Sequence, residues 1–205
     1  LPELSGDEKM SRILGLTGGI ACGKSTISAY LKEFGLPVID ADECSRAVVE
    51  KGSIGLEKLT EIFGNKILEN DGTLNRKALG QIVFSDSEQL SLLNSVMEPL
   101  IREEIFRRLN QENNADLVVL DAPLLIEQHY DKICDFIMTI DVPKKIQLER
   151  LIERDKLSED EAKSRIESQL SSRERNGFAD VVIDSSGTVE QTRKQVIKWL
   201  KTINV

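Results

Sequence analysis

Residues 15–26 read GLTGGIACGKST, and this stretch decides the fold. It fits G-x-x-x-x-G-K-[ST], with Gly18, Gly23, Lys24 and Ser25 at the fixed places. Such a loop holds phosphate only if a strand leads into it and a helix leaves it, because the helix N-terminus must aim its unpaired amides at the anion. Both flanks are legible. Arg12 to Thr17 (RILGLT) is a short apolar run of strand type. Ile27, Tyr30, Leu31 and Phe34 then recur at i, i+3, i+4, i+7 on a helix that Gly35 and Pro37 end. In that setting the backbone from Gly18 through Gly19, Ile20, Ala21, Cys22, Gly23 and Lys24 to Ser25 and Thr26 surrounds nucleotide phosphates. Lys24 reaches the β and γ oxygens, and Ser25 ligates magnesium.

Four further runs have the length and apolarity of buried strands: Pro37 to Asp40 (PVID), Leu117 to Asp121 (LVVLD), Phe136 to Asp141 (FIMTID) and Val181 to Asp184 (VVID). Strands separated by helical stretches imply crossovers and a parallel sheet, whose ligands bind at the carboxyl ends of the strands. Each of these runs ends in aspartate, so the acids gather at the same end of the sheet as the loop. Asp40 and Asp121 are therefore candidates to hold magnesium, Asp121 at the place of a Walker-B carboxylate. Asp141 and Asp184 read more simply as cap or turn residues.

Between the second and third runs the spacing is helical throughout, at Leu56, Leu59, Ile62 and Phe63, at Leu79, Ile82 and Val83, and at Leu90, Leu93, Met97, Ile101 and Ile105. A single crossover does not need so much chain. The segment reads as an inserted helical lobe, with Pro99 bending or breaking its last long helix. After the fourth run, a helix from Pro143 to Arg154 sets Arg150 and Arg154 on one face. Ser158 and Glu161 form a capping box that opens the next helix. A charged helical hairpin with arginines at its hinge suits a lid that closes over phosphates. Its bland alternative is a solvated helix with i, i+4 charge pairs.

Composition excludes several classes. With 35 acidic against 27 basic residues the formal charge is -8, which disfavours attraction to a nucleic-acid backbone. No apolar run approaches the roughly 18 residues of a membrane span. Three cysteines at spacings of no disulfide framework or zinc motif point to a reducing cytoplasm. One of them, Cys22, lies beside Lys24 and a helix N-terminus. That setting favours a thiolate and predicts inactivation by thiol reagents with protection by ATP; the alternative is an inert small residue. Residues 1–10 read as a tail ahead of the working start, and the sole histidine, His129, as a surface residue without a role. No feature calls for an obligate protein partner.

GLTGGIACGKST together with VIDADECSRAVV (38–49), FGNKILENDGTLNRKALGQIVF (63–84), VVLDAPLLIE (118–127) and the Arg150/Arg154 segment with its LS-x-x-EA-x-x-RI-x-x-Q continuation resembles bacterial dephospho-CoA kinase over residues 12–200. The phosphate loop is common to many proteins. Asp40-Ala-Asp42 with Arg46, Leu74-Asn75-Arg76, and Pro123-Leu-Leu with Glu127 are specific as a set. The resemblance implies an α/β P-loop kinase fold, a parallel five-stranded sheet flanked by helices with an inserted helical substrate lobe and a helical lid. Its division would be core 11–42, 115–154 and 178–204, acceptor lobe 43–114, and lid 155–177. It also implies transfer of the ATP γ-phosphoryl group, with Mg2+, to the ribose 3′-hydroxyl of dephospho-CoA. Asp42 matches the family's proposed catalytic aspartate, Arg154 its lid arginine, and Asp42, Arg46 and Arg76 its acceptor-binding positions. Arg150 is a weaker match on the nucleotide.

The chain departs from the family pattern at several points. The family's loop more often reads GGIGSGKS, whereas Ala21 and Cys22 stand here, and alanine is harmless only if its φ is negative. Glu98-Pro99 replaces a frequent His-Pro, and Ser185 stands near a typical asparagine, which weakens inherited assignments for the acceptor and the adenine. Other acceptors fit the same fold, and a nucleotide switch is the rival outside enzymology. The switch class requires N-K-x-D, but Asn65-Lys66 continues with Ile67-Leu68. Asp184-Ser-Ser-Gly187 follows the last strand and reads as a helix start, with Thr188 and Gln191 as capping box.

Overall fold

The computed structural model describes residues 11–205; the proposed tail lies outside them. Strand β1 (Arg12–Gly18) runs into the phosphate loop and α1 (Lys24–Glu33) leaves it. Then follow β2 (Val38–Asp40), α2 (Ala41–Ala47), α3 (Ile54–Phe63), α4 (Arg76–Val83), α5 (Ser87–Gln111), β3 (Leu117–Asp121), β4 (Phe136–Asp141), α6 (Lys144–Asp155), α7 (Glu159–Glu167), α8 (Ser172–Asn176), β5 (Val181–Asp184) and α9 (Val189–Thr202). The sheet order is β2-β3-β1-β4-β5. β1 lies between β3 and β4, parallel to both, with Leu16 opposite Asp121 and Gly18 opposite Ile140. β5 continues the parallel pairing beside β4. A phosphate loop following the central strand of such a sheet is the arrangement of the P-loop kinase fold.

Burial explains the sheet. All five residues of β3 are buried, as a strand covered on both faces requires. On one face Leu14, Leu16, Leu117, Val119, Met138, Ile140 and Ile183 pack with Ile27 and Leu31 of α1 and Val196 and Leu200 of α9. Each such fully buried side chain contributes about 1.5–3 kcal/mol of transfer free energy. This packing fixes α1 against the sheet, so the phosphate loop is held at both of its ends.

The chain divides into two compact units, one made of the residues up to Val38 with Glu112–Val205, the other Ile39–Gln111. The second has its own core, where Leu59 and Phe63 of α3 meet Leu79 and Val83 of α4 and the partly buried Leu90, Leu93 and Met97 of α5. α5 runs unbroken through Pro99, so of the expected bend or break the break does not occur. Proline deletes one bond of the helical ladder, and the intact bonds on either side outweigh that loss. No helix among the described residues is long and apolar enough to cross a membrane.

Candidate functional site

The loop after β1 is shaped to receive an anion. Ala21 and Gly23 both take left-handed conformations, with φ of 60° and 87°, on either side of Cys22. Cys22 N–H is turned back on Gly19 O at 3.1 Å. Alternation of this kind points successive N–H groups into one concavity. Among the described residues the N–H groups of Ala21, Gly23, Lys24 and Ser25 have no partner in the protein. The last two belong to the first turn of α1, where the helix dipole adds to the attraction.

Lys24 Nζ is paired with the Asp121 carboxylate at the end of β3, and Asp121 is only 3% exposed. Arg150, on α6, donates from Nη2 to Ser185 O at 2.7 Å and from Nη1 to Ser185 Oγ at 3.3 Å. Ser185 Oγ donates to Cys22 O at 2.6 Å, so the turn after β5 is tied to the loop. A cavity of about 240 Å³ lined by Ala21, Gly23, Thr26, Arg150, Ser185 and Gly187 adjoins these contacts. The loop, Lys24, Ser25, Asp121 and Arg150 thus share one end of the sheet. Arg154, one turn further along α6, is engaged with other partners. At the C-terminal turn of α6, its guanidinium donates to both oxygens of Asp155 at 2.7 and 3.1 Å, and Arg165 donates to the same carboxylate at 3.1 Å. The Arg154 guanidinium holds the Asp155 carboxyl below its ordinary range.

In the helical unit, Asp40 Oδ1 accepts Asp42 N–H at 2.7 Å and Glu43 N–H at 3.1 Å, which makes Asp40 the N-cap of α2. Asp42 is exposed in the first turn of α2, and Arg46 Nε donates back to Asp42 O at 3.2 Å. Arg76 opens α4, whose cap is the Asn75 side chain accepting Ala78 N–H at 2.8 Å. His129 is exposed, with φ of 58°.

One condition is decided and one expectation corrected here. Ala21 has positive φ, so the alanine is not free of strain; for a non-glycine residue this conformation costs about 1–2 kcal/mol. Cys22 is 1% exposed. Burial foremost, then the negative charge of Asp141, pushes its thiol up to about 11, so the helix N-terminus does not make a thiolate of it. Because the folded value is raised, the neutral thiol's contribution is intact below the ordinary value of 9.0 and is lost as pH rises through about 11. At pH 7.5 iodoacetamide should leave Cys22 unlabelled in the folded protein with or without ATP, and label it after denaturation. ATP-protectable labelling, read by peptide mass mapping, would contradict this.

Two glutamines with no role assigned from the sequence hold the loop: Gln147, and Gln169, which closes the LS-x-x-EA-x-x-RI-x-x-Q pattern. Gln147 Nε2 donates to Ile20 O at 2.9 Å, and Ile20 N–H donates to Gln169 Oε1 at 2.8 Å. Arg175, 2% exposed, lies on α8 behind them. The capping box of Ser171 and Glu174 is a further sequence signal that marks this turn. Asp141 is neither cap nor turn residue: it accepts Ser172 Oγ–H at 2.8 Å and Asn176 Nδ2–H at 2.9 Å, anchoring α8.

With this geometry in place, likeness to known proteins is decisive. A model of the family described as Dephospho-CoA kinase matches residues 12–191. The chain belongs to the dephospho-CoA kinase family. A relative from Enterococcus faecalis named dephospho-CoA kinase is 44% identical over 193 residues, covering 94% of this chain and 97% of the relative. Among solved structures, a Thermus thermophilus protein superposes with a TM-score of 0.82 at 29% identity, over 96% of this chain and all of that one. The dephospho-CoA kinase from Campylobacter jejuni superposes with a TM-score of 0.74 at 30% identity, over 95% and 98% of the two chains. Membership of the dephospho-CoA kinase family makes the chain an ATP-dependent kinase.

Proposed function

We propose that the protein transfers the γ-phosphoryl group of ATP to the ribose 3′-hydroxyl of dephospho-CoA, giving coenzyme A and ADP, the last step of coenzyme A synthesis. The observation that carries this reading is the set of unpartnered amides at Ala21, Gly23, Lys24 and Ser25 in a chain of this family. In that reading residues 43–114 form the acceptor lobe, 155–177 the lid, and the remaining segments the nucleotide-binding core.

Phosphoryl transfer asks chiefly for positioning and charge neutralisation, because its transition state is loose and spreads negative charge over the transferred group. Lys24 exchanges Asp121 for the β and γ oxygens. Arg154 neutralises charge on the transferred group, and Arg150 supports the nucleotide at the turn that carries Ser185. Arg46 and Arg76 bind the acceptor. Asp42 orients the 3′-hydroxyl and takes its proton as the new O–P bond forms; the bond from the γ-phosphorus to the bridging oxygen breaks, and its electron pair leaves with ADP.

Magnesium fits the donor set at the loop. Ser25 presents an exposed hydroxyl on the first turn of α1, and Asp121 brings a carboxylate to Lys24 beside it. Among the described residues no three acids, histidines or cysteines cluster; this suits an ion that takes few protein ligands and completes its shell with phosphate oxygens and water. Asp40, with Oδ1 committed to the α2 cap, is the lesser candidate. When bound, the ion neutralises charge on the phosphate oxygens. The free cysteines suit a cytoplasmic enzyme whose partners are these two small molecules.

The test is a panel of acceptors with MgATP. Dephospho-CoA should support ADP release at least about a hundredfold faster, as kcat/KM, than AMP, CMP or adenosine, because remote parts of the acceptor align the hydroxyl. AMP as the best acceptor would transfer the reading to a nucleoside monophosphate kinase. Acceptor-independent hydrolysis alone would reopen the nucleotide-switch reading.

A further inference from the structure

The phosphate loop is gripped from the lid side. Gln147 Nε2 donates to Ile20 O at 2.9 Å and Gln169 Oε1 accepts Ile20 N–H at 2.8 Å, so the peptide on each side of Ile20 is fixed by a carboxamide from a different element. Gln147 is 5% exposed on α6. Gln169 lies in the turn between α7 and α8, and that turn is itself braced, since Arg175 Nη2 donates to Leu170 O at 2.8 Å. α8 is in turn pinned to the end of β4 through Asp141. The approach is close. A Cβ on Gly19 would lie 2.8 Å from Gln147 Nε2 and 3.3 Å from Arg175 Nη1.

The grip falls immediately before the strained residue. Ala21 is held at φ of 60°, where alanine is disfavoured relative to glycine. Its relaxation to negative φ would rotate the adjoining peptides and turn their N–H groups out of the concavity. Gln147 and Gln169 fix the chain at Ile20, and Ser185 fixes it at Cys22 O, so Ala21 is bracketed on both sides. We propose that Gln169 is a positioning residue for the nucleotide: through Ile20 it keeps Ala21 left-handed, and so keeps the loop's free amides aimed at the phosphates. The lid thereby sets the phosphate loop through backbone geometry as well as through its arginines. This inference rests on the kinase reading above.

The experiment is a cycle of Gln169→Met and Ala21→Gly in the full chain, read by calorimetric titration with MgATP and by the KM for ATP. Gln169→Met should weaken MgATP binding about tenfold, the size of the strain it releases, and raise KM in the same proportion with kcat changed less than about threefold. In the Ala21→Gly background the same substitution should cost less than about threefold, because glycine holds the conformation unaided. Gln147→Met should behave in the same way, and carries the test if Gln169→Met lowers the melting temperature enough to obscure binding. Equal binding by the parent and Gln169→Met overturns the inference and leaves the kinase reading standing. An equal loss in the two backgrounds overturns it too, since a general loosening of the lid does not depend on residue 21. A parent protein that binds no MgATP overturns both.

Discussion

Lys24→Met should lower kcat/KM for ATP by about a thousandfold, roughly 4 kcal/mol at the barrier. The substitution keeps the length and most of the apolar stem of the side chain while removing the one cation that the loop places among its amides. It also acts on the fold. Lys24 and Asp121 form a pair whose side chains are 18% and 4% exposed, and removing one partner of a buried pair costs about 3–5 kcal/mol because the other is left without its countercharge. Melting temperature should therefore fall along with activity. Adding Asp121→Asn separates the two effects: it relieves the orphaned carboxylate, so the melting temperature should recover most of its loss while the activity does not return. Recovery of activity in the double variant would mean that Lys24 serves only to satisfy Asp121.

Asp42→Asn should lower kcat by at least about a hundredfold while MgATP affinity stays within about twofold of the parent. Asparagine reproduces the shape but not the charge or the capacity to take a proton from a sugar hydroxyl. The cap of α2 should survive the change. Asp42 is exposed, and the cap of α2 is Asp40, whose Oδ1 takes the N–H groups of Asp42 and Glu43. The charge removed from the first turn of α2 is worth about 0.3–1 kcal/mol against the helix dipole. Full turnover in Asp42→Asn would leave Asp42 as a helix-start residue and remove it from the chemistry. A fall in kcat that tracks a fall in melting temperature would point to damage in α2.

The strands were the most legible part of this chain. LVVLD, FIMTID and VVID coincide with β3, β4 and β5, because short apolar runs closed by aspartate and turn residues carry their boundaries locally. The capping boxes at Ser158 and Thr188 form as read for the same reason. Asp184 is a turn residue as expected, its Oδ1 accepting Ser186 N–H at 2.8 Å. Pro99 does not break α5, because its local cost is outweighed by the rest of a 25-residue helix. Cys22 is the inert residue of its two readings: its neighbours in sequence suggest a thiolate, whereas its burial comes from packing in the core beside the sheet. The grip on Ile20 was illegible for a further reason. Gln147 and Gln169 lie 127 and 149 residues from the atoms they hold; the LS-x-x-EA-x-x-RI-x-x-Q pattern marks the position of Gln169 but not its partner at that range.

The central claim is that this chain phosphorylates one particular hydroxyl. Its most direct test is 31P NMR of the product formed from dephospho-CoA and MgATP, with the mass of the isolated product measured in parallel. One added phosphate should appear as a new phosphomonoester resonance coupled to the ribose 3′ proton, with ADP formed in equal amount. A phosphate attached elsewhere on the acceptor, or ADP and inorganic phosphate formed with dephospho-CoA unchanged, would contradict it.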